Sequence, residues 1–221
     1  PRADIQHFLQ ELRGTCDRNA VLLGFDEIIT GGRLSIAGGQ SIFGVTPDLA
    51  TYGKIYGGGL PIGLVAGKEM VMSCIRSKEP VFLGGTYSGN PLSLAAGKAT
   101  LTYLHENQTV FTQLERSTEA FVSDINHFAH CLNINAHMIS KGSMFRLVFS
   151  ANTIKNRRER DQQEVNSEIQ NAFYNALRAA GVWLGPNRIN FLSVAHTQTD
   201  LDAASEAYKI CLKDFHQKLM I

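Results

Sequence analysis

The spacing of apolar and polar positions predicts three helices in the first part of the chain. Residues 4–12 form an amphipathic helical pattern. A second helix is predicted from Pro91, a favoured first-turn residue that Asn90 is placed to cap, to about Glu106. A third is predicted over 110–128, where the apolar residues keep near one face. Neither the second nor the third helix carries residues suited to chemistry.

Between the first two predicted helices, the pattern changes from helical to strand-like. Residues 20–25 are a continuous apolar run of strand length, which is typical of a parallel strand buried on both faces. The run ends on two carboxylates, Asp26 and Glu27. A polar, glycine-rich stretch and a short strand then lead to Lys54. Three glycines after the lysine predict a tight turn, and residues 60–66 predict another strand.

The second half of the chain mixes strands and helices in an order that predicts a small α/β domain from residue 108. Strands are expected near residues 131–139, 143–149, 182–184 and 189–194. A helix is expected over about 161–180, with Gly181 closing it just past its end, and a final helix opens at Thr199. The polar, arginine-rich segment 152–160 is expected to be an exposed loop.

Composition and charge restrict the classes of function. The chain has 221 residues, 44% of them hydrophobic, with 21 basic and 20 acidic residues and no long run of either sign. It therefore shows no electrostatic footprint for nucleic acid and no apolar stretch of membrane-spanning length. The four cysteines form neither a CxxC pair nor a metal-ligand cluster with the histidines, so we expect reduced thiols and no metal site. Small-molecule chemistry in the cytoplasm or an organelle matrix is favoured, and the start at Pro1 suggests a position inside a larger protein.

Two residues at predicted strand ends are candidates for chemistry. Asp26 ends a buried strand, where α/β sheets place their sites, although an acid there also suits a loop cap or an ion pair with Arg33. Lys54 also suits a surface charge beside a hairpin turn, but its apolar neighbours predict a buried lysine. Burial lowers the pKa of an amine toward nucleophilic competence. A buried lysine in this position needs a chemical reason.

Pyridoxal phosphate supplies such a reason. Its aldehyde takes up a lysine as an imine, while its pyridine nitrogen requires a carboxylate to stay protonated. Asp26 and Lys54 would divide that work. The phosphate needs hydroxyl and backbone N–H donors, which a Gly-Thr loop running into a helix start provides. Gly85 and Thr86 fit this third role.

Four ordered motifs carry a family resemblance. They are FDEIITGGR (25–33), TPDL (46–49), GKIYGGGLPIG (53–63) and GTYSGNP (85–91). Together they closely resemble the consecutive signatures of class III pyridoxal-phosphate-dependent aminotransferases, nearest to the branch that is like glutamate-1-semialdehyde aminomutase. A weaker likeness continues at 142–145 and 191–197, so the resemblance covers essentially the whole chain.

The resemblance implies the C-terminal part of a fold-type I α/β enzyme. Residues 1–107 would be the C-terminal part of the large cofactor-binding domain with its mixed sheet, and 108–221 the small C-terminal α/β domain. The family acts as a homodimer, so a homodimer is expected here. The substrate would be an amino acid or an amino-aldehyde.

The resemblance also implies roles for individual residues. Asp26 would contact the pyridine nitrogen, Ile28 would pack on the ring face and Lys54 would hold the cofactor in a Schiff base. Thr86, with Gly85, would bind phosphate across the dimer interface. The Lys54 amine, once freed by the amino substrate, would move a proton between the substrate carbon and the C4′ carbon of the cofactor.

The chain departs from the family pattern in three respects. It has Gly32 where the family has a bulkier residue, and the shortened segment 186–191 lacks an acidic residue that is usual there. The family also has a long N-terminal portion that supplies a phosphate loop, an aromatic residue stacking on the ring and part of the substrate pocket. None of this is in the sequence, so we expect this chain alone to lack full transaminase activity.

Three functional hypotheses follow. An aminotransferase and an aminomutase use the same lysine chemistry, so both remain open within the first. The second is a non-catalytic homologue or fragment that keeps the fold. The third, a nucleotide-binding dehydrogenase, is disfavoured because no GxGxxG follows a strand and opens a helix. Arg146 is more typical of a surface ion pair than of a substrate ligand, and His196 of a structural residue at a strand end, so neither is placed in the site.

Overall fold

The structure is a computed structural model that describes residues 4–163, 167–185 and 189–219. The chain divides into two units, here called the first unit (Asp4–Val110) and the second unit (from Phe111 onward). Three sequence expectations fall partly outside the described residues. These concern the start at Pro1, the middle of the predicted helix at 164–166 and most of the shortened segment, 186–188.

The first unit contains a three-stranded mixed sheet. Its elements are α1 (Ile5–Arg18), β1 (Gly24–Asp26), α2 (Gly39–Phe43), β2 (Leu49–Gly53), β3 (Gly63–Gly67), α3 (Glu69–Met72) and α4 (Pro91–Glu106), with 3-10 helices at Lys54–Gly57 and Ser73–Arg76. The strand order is β1-β2-β3. Strand β1 runs parallel to β2, with Asp26 opposite Thr51, and β3 runs antiparallel to β2, with Gly63 opposite Gly53. Among the residues that the structure describes, β1 and β3 are therefore the outer strands of this sheet.

Two helices of the first unit confirm the sequence predictions. The predicted opening helix is present as α1 and continues beyond the predicted range to Arg18. Helix α4 has the predicted bounds, with Pro91 in its first turn. The Asn90 side chain accepts hydrogen bonds from the backbone N–H groups of Leu92 and Ser93, both at 3.1 Å. These contacts satisfy two of the N–H groups that a helix start leaves unpaired.

The predicted parallel strand before Asp26 is present as β1, but its predicted start at residue 20 and its burial on both faces are wrong. Strand β1 begins only at Gly24, and Val21 and Leu22 are 55% and 58% exposed. Leu23 alone of these three residues is buried. Within the described residues, β1 pairs with a neighbour on one side only, so the apolar run is not enclosed as it would be in the middle of a sheet.

The second unit packs helices on an antiparallel sheet. Its elements are α5 (Thr109–Cys131), β4 (His137–Lys141), β5 (Met144–Val148), α6 (Arg157–Gln163), α7 (Ser167–Ala179), β6 (Asn190–Phe191) and α8 (Gln198–Leu219). The strand order is β4-β5-β6, and both pairings are antiparallel. Helix α5 and strand β5 confirm the predictions for 110–128 and 143–149.

The predicted strand at 182–184 is absent, because the backbone there closes helix α7. Gly181 has a φ of +88°, as expected for a residue just past a helix end. Its N–H donates to the Arg178 carbonyl at 3.0 Å, and the N–H of Val182 donates to the Leu177 carbonyl at 2.9 Å. Trp183 follows with 87% exposure. The N–H of Val182 therefore pairs with a carbonyl of the helix end and is not available for a strand hydrogen bond.

Other boundaries in the second unit differ from the predictions. Helix α5 extends through Cys131, so β4 starts later than the predicted residue 131, and β6 is shorter than the predicted 189–194. The segment 152–160 is not wholly an exposed loop, because Ile154 is buried and α6 begins at Arg157.

The last helix starts before the predicted Thr199. Thr197 and Asp200 form a reciprocal cap at the start of α8, in which the Asp200 carboxylate accepts the Thr197 N–H at 2.8 Å. The Thr197 hydroxyl accepts the Asp200 N–H at 3.3 Å. This pairing of positions three residues apart fixes where the helix begins.

The cores of the two units differ in size. In the second unit, buried residues from α5, the sheet, α7 and α8 form one cluster that includes the edge-to-face rings of Phe149, Phe173 and Tyr174. The corresponding cluster of the first unit consists of Cys16, Leu23 and Val45. All four cysteines are free. Among the described residues, no helix has the length and apolar character to cross a bilayer, and no group of acidic, histidine or cysteine side chains is placed to hold a metal.

Candidate active site

The pairing of β1 with β2 brings Asp26 and Lys54 to the same end of the sheet, where the carboxyl ends of both strands lie. Asp26 is the last residue of β1 and lies opposite Thr51, and Lys54 directly follows the end of β2. Because the two strands are parallel, their carboxyl ends meet at one edge. At about 3.3 Å per residue, Lys54 lies roughly 10 Å further along the strand direction than Asp26. Asp26 and Lys54 therefore both lie at the carboxyl end of this strand pair.

Asp26 presents its carboxylate to solvent at this edge. Its Oδ1 atom accepts the backbone N–H of Ile28 at 3.0 Å, which orients the carboxylate at the start of the following loop. The alternative partner considered from the sequence, Arg33, donates from Nη1 to the Ile29 carbonyl at 2.7 Å. Burial lowers the pKa of Arg33.

Ile28 lies beside the segment that leads to Lys54. Its side chain is half-buried. Its Cγ2 atom would lie 3.9 Å from a Cβ placed on Gly53, which is an ordinary van der Waals contact. The structure thus places three of the predicted residues near the carboxyl ends of β1 and β2. They are Asp26, Ile28 and Lys54.

The prediction that Lys54 is buried is wrong for this chain. Lys54 is exposed, whereas Tyr56 and Gly57 beside it are buried. Lys54 adopts a left-handed backbone conformation with a φ of +52°, and a 3-10 helix starts there. The apolar character of the surrounding sequence therefore reflects the packing of the residues after the lysine and not burial of the amine.

Helix α4 packs against the turn that follows Lys54. A Cβ on Gly97 of this helix would lie 2.7 Å from the Ile62 side chain and 3.1 Å from the Tyr56 carbonyl oxygen. The absence of a side chain at residue 97 lets the helix approach this closely, since a Cβ there would force the Ile62 side chain and the Tyr56 carbonyl to shift. Helix α4, to which the sequence analysis assigned no chemistry, therefore packs against the turn after Lys54 and supports it.

The loop that carries Gly85 and Thr86 is exposed and leads into the capped start of α4. Gly85 lines a cleft of about 330 Å³ together with Pro61, Ile62 and Gly63. Thr86 is exposed and is not among the residues that line this cleft. Within one chain, the structure therefore brings Gly85 beside the segment after the lysine turn but does not place Thr86 against Lys54.

Asp48 has a structural role that the sequence did not indicate. Its buried carboxylate accepts the Leu23 N–H at 2.8 Å and pairs with Arg13 and Lys68, each at 2.7 Å. The Leu23 hydrogen bond, then the contacts with Lys68 and Arg13, hold the pKa of Asp48 well below its usual range. Asp48 thus ties α1, the start of β1 and the end of β3 together. The sequence feature that could have pointed to Asp48 is its position in the TPDL motif (46–49).

Glu27 is the second residue whose importance the sequence understated. The sequence does not place Glu27 among the candidate residues for chemistry. The structure buries it, with only 3% of the residue exposed, and surrounds its carboxylate with hydrogen-bond donors. Because side chains alternate between the two faces of an extended chain, a carboxylate one position after Asp26 is expected on the opposite face. This alternation could have indicated that Glu27 has a different environment from Asp26.

The second unit holds the two residues that sequence analysis left out of the site. Arg146 lies on β5 opposite Ile139 and is 8% exposed, so it is not a surface residue. The Nδ1 atom of His196 accepts the Ser193 N–H at 3.0 Å. This contact agrees with the structural role expected for His196.

A scan against family models matches residues 2–213 to the aminotransferase class-III model. Among curated relatives, the glutamate-1-semialdehyde 2,1-aminomutase of Methanoregula boonei is 42% identical over 208 residues, which cover 93% of this chain and 49% of that protein. The one from Fusobacterium nucleatum is 35% identical over 215 residues, which cover 96% of this chain and 49% of that protein. The chain therefore spans about half the length of the curated relatives it matches.

Solved structures match the whole architecture of this chain. An omega-transaminase from Sphaerobacter thermophilus superimposes with a TM-score of 0.85 at 26% identity, covering 95% of this chain and 48% of that one. A glutamate-1-semialdehyde-aminomutase from Pseudomonas aeruginosa PAO1 in complex with PMP gives a TM-score of 0.83 at 22% identity, covering 94% and 48%. The second likeness concerns the fold alone.

Proposed function

The chain belongs to the class III aminotransferase family, and from that premise we propose that Lys54 and Asp26 form the chemical centre of a pyridoxal-phosphate-dependent enzyme that moves an amino group. The observation that carries the proposal is the placement of both residues at the carboxyl ends of the parallel strands β1 and β2. The proposed substrates are amino compounds, either amino acids or amino-aldehydes.

The residues at this edge fit pyridoxal phosphate. The cofactor needs an accessible amine, an anionic partner for its ring nitrogen and an apolar surface for the ring. Lys54 is exposed, the Asp26 carboxylate is exposed and oriented by the Ile28 N–H, and the half-buried Ile28 side chain lies beside Gly53. These three features support the assignment of the cofactor to this strand pair.

When bound, pyridoxal phosphate supplies an aldehyde carbon that an amine attacks with loss of water, and a protonated ring that withdraws electrons from the bond being broken. Asp26 would accept a hydrogen bond from the ring nitrogen and keep it protonated. Ile28 would pack on the ring face and fix its plane. The Nζ atom of Lys54 would anchor the cofactor and, once released by the amino substrate, move a proton between the substrate carbon and C4′.

Gly85 and Thr86 would bind the phosphate from a second copy of the chain. The exposure of Thr86 and its absence from the cleft beside the lysine turn suit a residue that acts on a partner rather than on its own chain. The same loop carries exposed apolar side chains, including Phe82 at 89% and Tyr87 at 69% exposure. Exposed apolar surface of this kind is typical of an interface, which favours a homodimer.

The same reasoning assigns the two units. We propose that the first unit, which carries Asp26, Ile28, Lys54 and Thr86, belongs to the large cofactor-binding domain, with the domain boundary near residue 108. The second unit would be the small C-terminal domain. The relatives at 35–42% identity are named as aminomutases, which favours internal amino transfer over transamination as the reaction of the whole enzyme.

A second candidate is a homologue that keeps the fold and lacks catalysis. The favouring observation is that the chain spans about half the length of its relatives while Val21, Leu22 and Val65 around the sheet are exposed. Cofactor uptake at Lys54 separates this candidate from the first.

The test is to incubate the chain with increasing pyridoxal phosphate, reduce with borohydride and locate the pyridoxyl adduct by peptide mass spectrometry. We expect saturable labelling confined to Lys54. Lys54→Arg should abolish it, and Lys98→Arg, which changes an exposed lysine on α4 of the same unit, should leave it unchanged. Labelling scattered over surface lysines, equal in both variants, would contradict the proposal.

A further inference from the structure

A network of buried and partly buried hydrogen bonds connects Glu27 to a tyrosine near Lys54. The Glu27 carboxylate accepts the backbone N–H groups of Gly39 at 2.8 Å and Gln40 at 2.9 Å, and it also accepts the Thr30 hydroxyl. The side-chain amide of Gln40 in turn donates to the Tyr52 hydroxyl at 2.6 Å. Glu27 therefore holds the end of the loop 28–38 and, through Gln40, reaches the strand that leads to the lysine.

Gly38 shows how closely this loop is fitted to Glu27. It has a φ of +83°, and a Cβ at this position would overlap the Glu27 carboxylate group. The carboxylate thus occupies the space that a side chain at residue 38 would need. Moving the Glu27 carboxylate would release the N–H groups of both Gly39 and Gln40, so these contacts restrict the loop.

A second tyrosine attaches the same loop on the other side of Lys54. Tyr56 is 2% exposed, and its hydroxyl donates to the Ile36 carbonyl at 2.7 Å. Its ring meets the ring of Tyr52 edge-to-face, with centroids 5.5 Å apart. Tyr52 lies two residues before Lys54 and Tyr56 two residues after it. The segment 36–40 is therefore hydrogen-bonded to the chain on both sides of the lysine.

Lys54 itself has the left-handed φ of +52°, which a residue with a side chain rarely adopts. Such a conformation persists only where the surrounding contacts determine it. The two tyrosines and the loop behind them are the contacts that flank it. The loop 28–38 directly follows Asp26 and Glu27 and begins at Ile28. One set of hydrogen bonds therefore connects Lys54 to Asp26 and Ile28, the residues proposed to hold the cofactor ring.

We propose that Glu27 is a positioning residue, which acts through Gln40 and Tyr52 to fix the backbone at Lys54 and so to aim its amine at the cofactor held by Asp26 and Ile28. This inference rests on the proposed function. Glu27 does not touch the reacting atoms. Its carboxylate is buried against the N–H groups of Gly39 and Gln40 while Asp26 is exposed, and it acts by limiting where Lys54 Nζ can lie.

The experiment uses three variants of the full chain. Tyr52→Phe removes only the hydroxyl that Gln40 binds, and Glu27→Gln replaces one acceptor oxygen of the carboxylate by an NH2 group that cannot accept a hydrogen bond. Tyr103→Phe removes the hydroxyl of an exposed tyrosine on α4 as a matched control. Each is mixed with pyridoxal phosphate at a fixed saturating concentration, and the rate of borohydride-trapped labelling at Lys54 is measured by mass spectrometry. The rate of Lys54 acetylation by a small amine-reactive acylating reagent and the urea unfolding midpoint are measured in parallel.

We expect Tyr52→Phe and Glu27→Gln to label Lys54 about tenfold more slowly, since displacing a reacting group by about 1 Å costs up to about a hundredfold in rate. Acetylation of Lys54 and the unfolding midpoint of Tyr52→Phe should stay unchanged, and Tyr103→Phe should behave as the unsubstituted chain. A purely structural role would instead lower the unfolding midpoint and change both labelling rates together.

The outcomes separate this inference from the proposed function. If the unsubstituted chain labels at Lys54 and Tyr52→Phe labels at the same rate, the positioning role is wrong and the proposed function stands. If the unsubstituted chain shows no selective labelling at Lys54, both are overturned. Because Tyr52→Phe keeps the ring and its edge-to-face contact, it tests the inference even where Glu27→Gln fails to fold.

Discussion

The two units of this protein divide packing and chemistry unequally. Among the described residues, the core cluster of the second unit contains 19 buried residues, and the cluster of the first unit contains three. The first unit nevertheless carries every residue that we propose to act on the cofactor. It also exposes large apolar side chains around its sheet and in its loop, such as Leu22, Val65 and Phe82.

The difference teaches that a site can be specified by polar contacts where apolar packing is sparse. In the first unit, the buried carboxylates Asp48 and Glu27 join segments far apart in sequence, while the second unit relies on interlocked rings and aliphatic side chains. Buried carboxylates with several donors fix geometry more than they add stability. Apolar surfaces left open beside such a site are suited to being covered by another polypeptide surface.

The largest effect that would test this comparison is on stability. Leu177→Ala, at a residue with 0% exposure in the second unit, should lower the free energy of unfolding by about 3 to 5 kcal/mol, because a large core cannot collapse around the cavity. Leu23→Ala in the small cluster should cost about 2 kcal/mol, near the lower end of the same range. Urea unfolding monitored by hydrogen-exchange mass spectrometry assigns each loss to its unit. Equal losses in the two units would break the comparison.

The second effect concerns the cofactor. Asp26→Asn removes the charge proposed to face the ring nitrogen, and a charge-assisted hydrogen bond of about 1.5 to 3 kcal/mol corresponds to a loss of roughly tenfold or more in affinity. The half-saturating concentration of pyridoxal phosphate for labelling at Lys54 should rise by that factor. Asp202→Asn, at an exposed acid on α8 of the second unit, should leave it unchanged. A similar rise in both variants would show that the effect is general to surface charge.

The third effect is on the pH dependence of stability. The folded-state pKa of Asp48 lies below the unfolded value of about 3.9, so its contribution is fully present above about pH 5 and is lost as the pH falls through 4 toward the folded value. Thermal melts of Asp48→Asn should therefore start from a lower Tm at neutral pH and change less between pH 6 and pH 3. Parallel pH profiles for Asp48→Asn and the unsubstituted chain would argue against the role of Asp48 in joining α1, β1 and β3.

The smallest effect compares helix caps. Asn90→Ala in the first unit and Thr197→Ala in the second should each lower stability by about 1 kcal/mol, since each removes one side chain that caps a helix start. Asn90→Ser should restore most of the loss, because serine also caps. Urea midpoints of the three variants check this. A cost at Asn90 several times larger than at Thr197 would mean that this residue also fixes the loop of Gly85 and Thr86.

Much of the local structure was predictable because it depends on neighbouring residues. The start of α4 follows from Asn90 and Pro91, and the end of α7 follows from Gly181. The predictions failed where the outcome depended on distant contacts. The apolar run before Asp26 is not enclosed because, among the described residues, β1 pairs on one side only. Residues 182–184 close a helix where a strand was predicted.

The sequence by itself determined the family, through four motifs in a fixed order, and with it the candidate residues Asp26, Lys54 and Thr86. Motifs of this kind are local, so they can be read before any fold is known. Only the tertiary structure decided that Lys54 is exposed, that Asp48 joins three elements and that Glu27 connects to the strand before the lysine. Burial and hydrogen bonding of these side chains depend on partners up to 35 residues away, and no local pattern encodes such pairings.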